Sequence, residues 1–148
     1  MYDAFGNVST VYRGTMRISS SDPTVGGFYT FTAADAGVHT FSVALTRVGT
    51  QSVTVGDIAT PAMTLTQTGI VVTPGAAAYI AVTPLVGTVA GVAQNVTITA
   101  RDAYGNLATS YRGTLAFTST DLQVAMLSTY TFTAADAGSH TFSVTFKS

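Results

Sequence analysis

Tyr130-Thr-Phe-Thr-Ala-Ala-Asp-Ala-Gly-Ser-His-Thr-Phe-Ser-Val144 is written twice in this chain. The other copy is Tyr29-Thr-Phe-Thr-Ala-Ala-Asp-Ala-Gly-Val-His-Thr-Phe-Ser-Val43, and only Val38 against Ser139 separates them. In each copy apolar and polar side chains alternate, break at Asp-Ala-Gly, and alternate again. A period of two over such short runs predicts half-buried β-strands. Asp can bond the backbone ahead of it and Gly accepts positive φ, so the break reads as a tight corner. Asp35, Gly37 and His39, with Asp136, Gly138 and His140, are the expected structural corner residues.

The repeat extends outward from this stretch. Asp3-Ala-Phe-Gly-Asn7 matches Asp102-Ala-Tyr-Gly-Asn106 at an offset of 99 (102 − 3). Tyr12-Arg-Gly-Thr15 matches Tyr111-Arg-Gly-Thr114 at the same offset, and the corner stretch matches at 101 (130 − 29). A solenoid repeat runs to only about 20–50 residues. A period of about 100 is the size of an immunoglobulin-like sandwich, so the repeating unit is a whole domain.

Composition agrees. Thr is abundant, and its β-branched polar side chain suits the solvent face of a strand. The chain has no Glu and a single Lys, so helix formers such as Leu, Lys, Glu and Gln are scarce. The fold class expected is all-β, an immunoglobulin-like β-sandwich in tandem repeat, with essentially no helix. Strands are expected over 14–20, 27–33, 39–46, 51–57, 63–73, 78–83, 94–101, 113–120, 129–135 and 140–147. The Pro74-Gly75 turn divides the chain into residues 1–74, an incomplete repeat lacking its opening strands plus a linking strand, and 75–148, a repeat lacking its closing strand.

Other classes fall away. Net charge is −1 and the arginines are dispersed, so no basic stripe for nucleic acid is expected. No apolar run approaches the ~18 residues of a membrane helix. Met1-Tyr-Asp-Ala enters a turn motif directly, so no leader is expected there. The absence of Cys suits an exported bacterial protein better than a disulfide-stapled secreted domain.

Three stretches resemble the bacterial immunoglobulin-like (Big, invasin/intimin-like) tandem repeats of large surface proteins and adhesins. They are Val-Thr-Ile-Thr-Ala-Arg-Asp-Ala-Tyr-Gly-Asn over 96–106, Tyr-Arg-Gly-Thr-Leu-Ala-Phe-Thr-Ser-Thr-Asp over 111–121, and Tyr-Thr-Phe-Thr-Ala-Ala-Asp-Ala-Gly-Ser-His-Thr-Phe over 130–142. The resemblance covers most of the chain through both copies. It implies a β-sandwich in a tandem array, acting as a spacer or adhesive module at the bacterial cell surface.

Candidate sites are few. Asp102 and Asn106, with Asp3 and Asn7, are the one candidate metal set, as calcium ligands between domains. Calcium takes about six to eight oxygens, and the sparse carboxylates favour plain turn formation instead. His39 and His140 lack the partners that catalysis or zinc would need. Tyr12, Tyr111, Tyr104 and Phe5 could stack a glycan, or pack loops onto a sandwich. Nothing resembles a nucleophile elbow or a phosphate loop. The expectation is a non-enzyme without cofactor: a structural spacer repeat, with a glycan- or surface-binding module as the alternative. Its partners would be neighbouring repeats or copies of itself. A sandwich short of strands exposes pairing edges. The two incomplete halves are therefore expected to complete one another, head to tail between chains as a filament or within one chain. In the latter case the strand over 51–57 would serve the second copy.

Overall fold

A computed structural model describes all 148 residues. The chain is all-β, built from antiparallel sheets in the manner of a β-sandwich, with no helix. It forms two compact units, Met1–Thr73 and Pro74–Ser148.

In the first unit, β1 (Thr15–Ser20), β2 (Gly26–Thr30), β3 (Gly49–Asp57) and β4 (Thr64–Val72) make one sheet in the order β2-β1-β3-β4. Directly opposed residues are what stabilise such a ladder. Here the opposed Thr15 and Thr30 hydroxyls lie 2.7 Å apart, and those of Thr54 and Thr66 lie 2.8 Å apart. A bulge between Gln51 and Val53 shifts the β3–β4 register. Met16 and Phe31 are the buried apolar side chains of this unit.

In the second unit, β5 (Tyr79–Val82), β6 (Ala93–Arg101) and β9 (Ser139–Thr145) form a sheet in the order β5-β6-β9. A separate pair joins β7 (Thr114–Ala116) to β8 (Thr129–Thr131). Val96, Ile98 and Ala100 of β6 point inward while Thr97 and Thr99 alternate with them. Phe142 and Val144 of β9 do the same. Val96, Ile98, Phe142 and Val144 pack with Phe132, against Leu115, Phe117 and Tyr130 from the β7–β8 side. Each such large side chain removed from water contributes about 1.5–3 kcal/mol.

Two expectations are corrected. Residues 39–46 are not a strand, although their copy at 140–145 lies in β9. A strand needs a ladder: β9 pairs with β6 from Ala93↔Thr145 to Thr99↔Ser139, and the first unit offers residues 39–46 no such neighbour. Phe142 is 8 % exposed in its paired strand, whereas Phe41 is only half-buried. Nor does the strand over 51–57 serve the second copy. β3 sits between β1 and β4 of its own unit, with Met16 opposite Asp57 and Gly56 opposite Thr64. β7 and β8 are also shorter than their counterparts β1 and β2, three residues each against six and five.

Candidate functional site

The corners are built alike. Ala36 and Ala137 both adopt φ 46°, followed by Gly37 and Gly138 at φ 83°. An L-residue rarely enters this region. A Cβ on Gly138 would lie 2.5 Å from the Ala108 carbonyl oxygen, so only Gly fits there. The Asp136 carboxylate accepts from the Thr133 N–H at 2.6 Å, the Thr133 hydroxyl at 2.9 Å and the Tyr130 hydroxyl at 3.0 Å. His140 Nδ1 lies 2.5 Å from it. Asp35 repeats the set with Thr32, Tyr29 and His39. The Thr133 N–H, then the other donors, hold the Asp136 carboxyl well below the usual carboxylate range; Thr32 begins the same effect on Asp35. Tyr29 stacks on His39 at 3.7 Å, and Tyr130 lies 4.2 Å from His140. In the second unit the corner residues thus tie β8 to β9 at one bend; in the first they tie β2 to a segment that is not a strand.

The turn residues Asp102 and Asn106 stay together. Asp102 accepts from the Tyr104 and Asn106 N–H groups, the Asn106 amide and the Gly75 N–H at 3.0 Å. The Asn106 amide first, then these N–H groups, hold its carboxyl down to about 2. Asp3 and Asn7 make the same turn in the first unit, exposed. No three Asp or His side chains converge on a common point around either turn.

The four aromatics separate into two pairs. Tyr12 packs edge-on against Phe31 at 5.0 Å, and Tyr111 against Phe132 at 5.1 Å. Phe5 and Tyr104 stand 90 % and 70 % exposed, one in each unit.

Two arrangements were not read from the sequence. The first is a buried carboxylate at the start of the loop after β1. Asp22 is fully buried and accepts the N–H groups of Thr46 and Arg47 at 2.6 and 2.8 Å. Asp121 does the same for Lys147 and Ser148 at 2.7 and 3.2 Å. Its signal was available, since both Asp residues follow a Ser by two positions at the offset of 99 (121 − 22), and that Ser hydroxyl accepts the Asp N–H in each case.

The second differs between the copies. In the first unit the Tyr12 hydroxyl donates to the Asp57 carboxylate, at the end of β3. In the second unit Tyr111 has the same ring packing, yet no carboxylate meets its hydroxyl and no strand lies on the outer edge of β7. The same unit holds a groove of about 390 Å³, lined by Ile98, Phe117, Ser119, Met126, Phe142 and Val144 among others, of which Phe117 and Ser119 lie on the segment that continues β7.

The class defined by this geometry is an all-β protein of open antiparallel sheets with aspartate-locked corners. No protein-family model, curated protein or solved structure matches the chain.

Proposed function

We propose that this chain is a non-catalytic, immunoglobulin-like spacer repeat of a bacterial surface protein or adhesin, completed head to tail by strands from neighbouring repeats. One observation carries the reading: near-identical sequences form a strand where a partner strand is present and do not where it is absent, as 140–145 and 39–44 show. The duplicated sequence supports it further, because reach, unlike catalysis, grows with the number of copies. The side chains best placed for chemistry, Asp136 and His140, are engaged with one another and with Tyr130 at a corner.

The test is a chain carrying a further copy of Val48–Thr73 after Ser148, in the register where Ser148 corresponds to Arg47. Both residues give their N–H to the equivalent buried carboxylate. A rise in the melting temperature of the second unit is expected. An unchanged melting curve would sink the reading.

A second reading, a glycan- or surface-binding module, draws on the exposure of Phe5 and Tyr104. It is checked on a glycan array with Phe5→Ser and Tyr104→Ser variants. Binding lost in both would establish it.

A further inference from the structure

The open edge of β7 is not a generic sticky edge. Its counterpart in the first unit shows what fits it. There β1 carries β3 in a fixed register: Met16 faces Asp57, Ile18 faces Val55 and Ser20 faces Val53. The Thr15 carbonyl accepts from Ile58, and the Ser21 N–H donates to Ser52. Tyr12 closes the end of the ladder on Asp57.

At the offset of 99 the second unit presents Leu115, Phe117 and Ser119 for Met16, Ile18 and Ser20, and Tyr111 for Tyr12 (111 − 12). The Thr114 carbonyl and the Thr120 N–H stand where the ladder bonds would form, and neither is bonded to another strand. Phe117 and Ser119, the positions that would face the two valines, line the apolar groove of this unit.

We infer that the β7 edge, the Ile98–Phe117–Phe142 groove and the Tyr111 hydroxyl form one docking site for an extended segment of the pattern Val-x-Val-x-Asp. In this mode main-chain bonds supply affinity and alternate side chains supply specificity. The two valines enter the groove, and the aspartate meets Tyr111 and sets the register. The occupant is a further copy of the repeat presenting its counterpart of Val53–Asp57. This chain's own Val53–Asp57 is not the donor, because β1 and β4 already hold both of its edges. The inference rests on the proposed spacer function and names the strand that completes the second unit.

The probe is a synthetic peptide of residues 50–58 titrated into the ¹⁵N-labelled full chain. Saturable amide shifts confined to residues 113–120 and the groove are expected. The Asp57→Ala peptide should bind about tenfold more weakly, in line with the loss of one charge-assisted hydrogen bond. Tyr111→Phe in the full chain should weaken the parent peptide by a similar factor and leave the Asp57→Ala peptide unaffected. The phenyl ring can keep its packing on Phe132, so this variant separates the hydroxyl from the fold.

Shifts elsewhere in the chain, equal binding of a scrambled peptide, or equal binding after Tyr111→Phe would each overturn the inference. The spacer reading is judged apart from it. If the chain extended with Val48–Thr73 gains stability that Tyr111→Phe does not reduce, completion stands and this docking register falls. If the extended chain gains nothing, both fall.

Discussion

The Tyr12 hydroxyl donates to the Asp57 carboxylate, joining the loop that leads into β1 to the last residue of β3 across 45 positions of sequence. Burial first, then the bond to Asp57 and its negative charge, push the Tyr12 hydroxyl up to about 12, while the same bond lowers Asp57. Asp57 also caps the turn that follows, accepting the Ala59 and Thr60 N–H groups at 2.7 Å each. Tyr12→Phe should lower the melting temperature of the first unit by several degrees, the scale on which one lost hydrogen bond moves a small domain. Tyr111→Phe, at the unoccupied position, should change it little. Calorimetry on the two variants decides: equal losses would show that the hydroxyl contributes nothing through Asp57.

A matched pair of truncations probes the strand that forms only once. Phe142 lies in the core cluster and Phe41 is half-buried. Phe142→Ala should cost about 3–5 kcal/mol, the usual range for emptying a packed aromatic site, and Phe41→Ala about half of that or less. Chemical denaturation with a probe in each unit measures both. Similar costs would contradict the difference in packing.

The corner offers opposite substitutions at adjacent positions. Ala137 holds a positive φ that Gly adopts without strain, so Ala137→Gly should be neutral to stabilising by about 1 kcal/mol. Gly138→Ala drives a Cβ against the Ala108 carbonyl and should destabilise the second unit severely. The thermal melt of Ala137→Gly should stay or rise while that of Gly138→Ala falls; a tolerated Gly138→Ala would mean that the corner is differently shaped.

Acid should unfold the chain through its aspartates. Every one of the seven acidic residues has its carboxyl lowered from the ordinary 3.8. A group lowered by folding stabilises the protein above its unfolded value and loses that contribution as pH falls through its folded value. Stability should therefore begin to decline below about pH 4 and fall further on approaching the Asp102 value of about 2. Melting temperature followed by circular dichroism from pH 5 to pH 2 tests this. A curve flat to pH 2 would mean that the carboxylates are not bonded as described.

The alternation around Val96–Arg101 and Phe142–Val144 was legible in the sequence, because one buried face imposes a period of two. The Asp136–Gly138 corner was legible because a capping carboxylate at 136 and a glycine at the positive φ of 138 are what such a bend requires. The state of residues 39–46 was not: local pattern speaks for a strand, and only the presence of a neighbouring strand decides it. The same limit hid the Tyr12–Asp57 bond, since nothing local in either residue announces a partner so far along the chain. The buried grip of Asp22 and Asp121 was not read from the sequence, because acceptance of two distant N–H groups depends on how the loop folds back.

Asp22 also has a mechanical consequence. It grips the backbone at Thr46 and Arg47, just before the chain enters β3 at Gly49. Tension arriving along the segment after the corner meets this carboxylate before it reaches the sheet. The shortest bonds of the grip, at 2.6 and 2.8 Å, come from backbone N–H groups, so side-chain changes at 46 and 47 should leave most of it in place. Beyond it, β3 is held along both edges, and many ladder bonds share the load at once rather than parting singly. A fibre of such units would yield abruptly at a threshold force instead of stretching gradually.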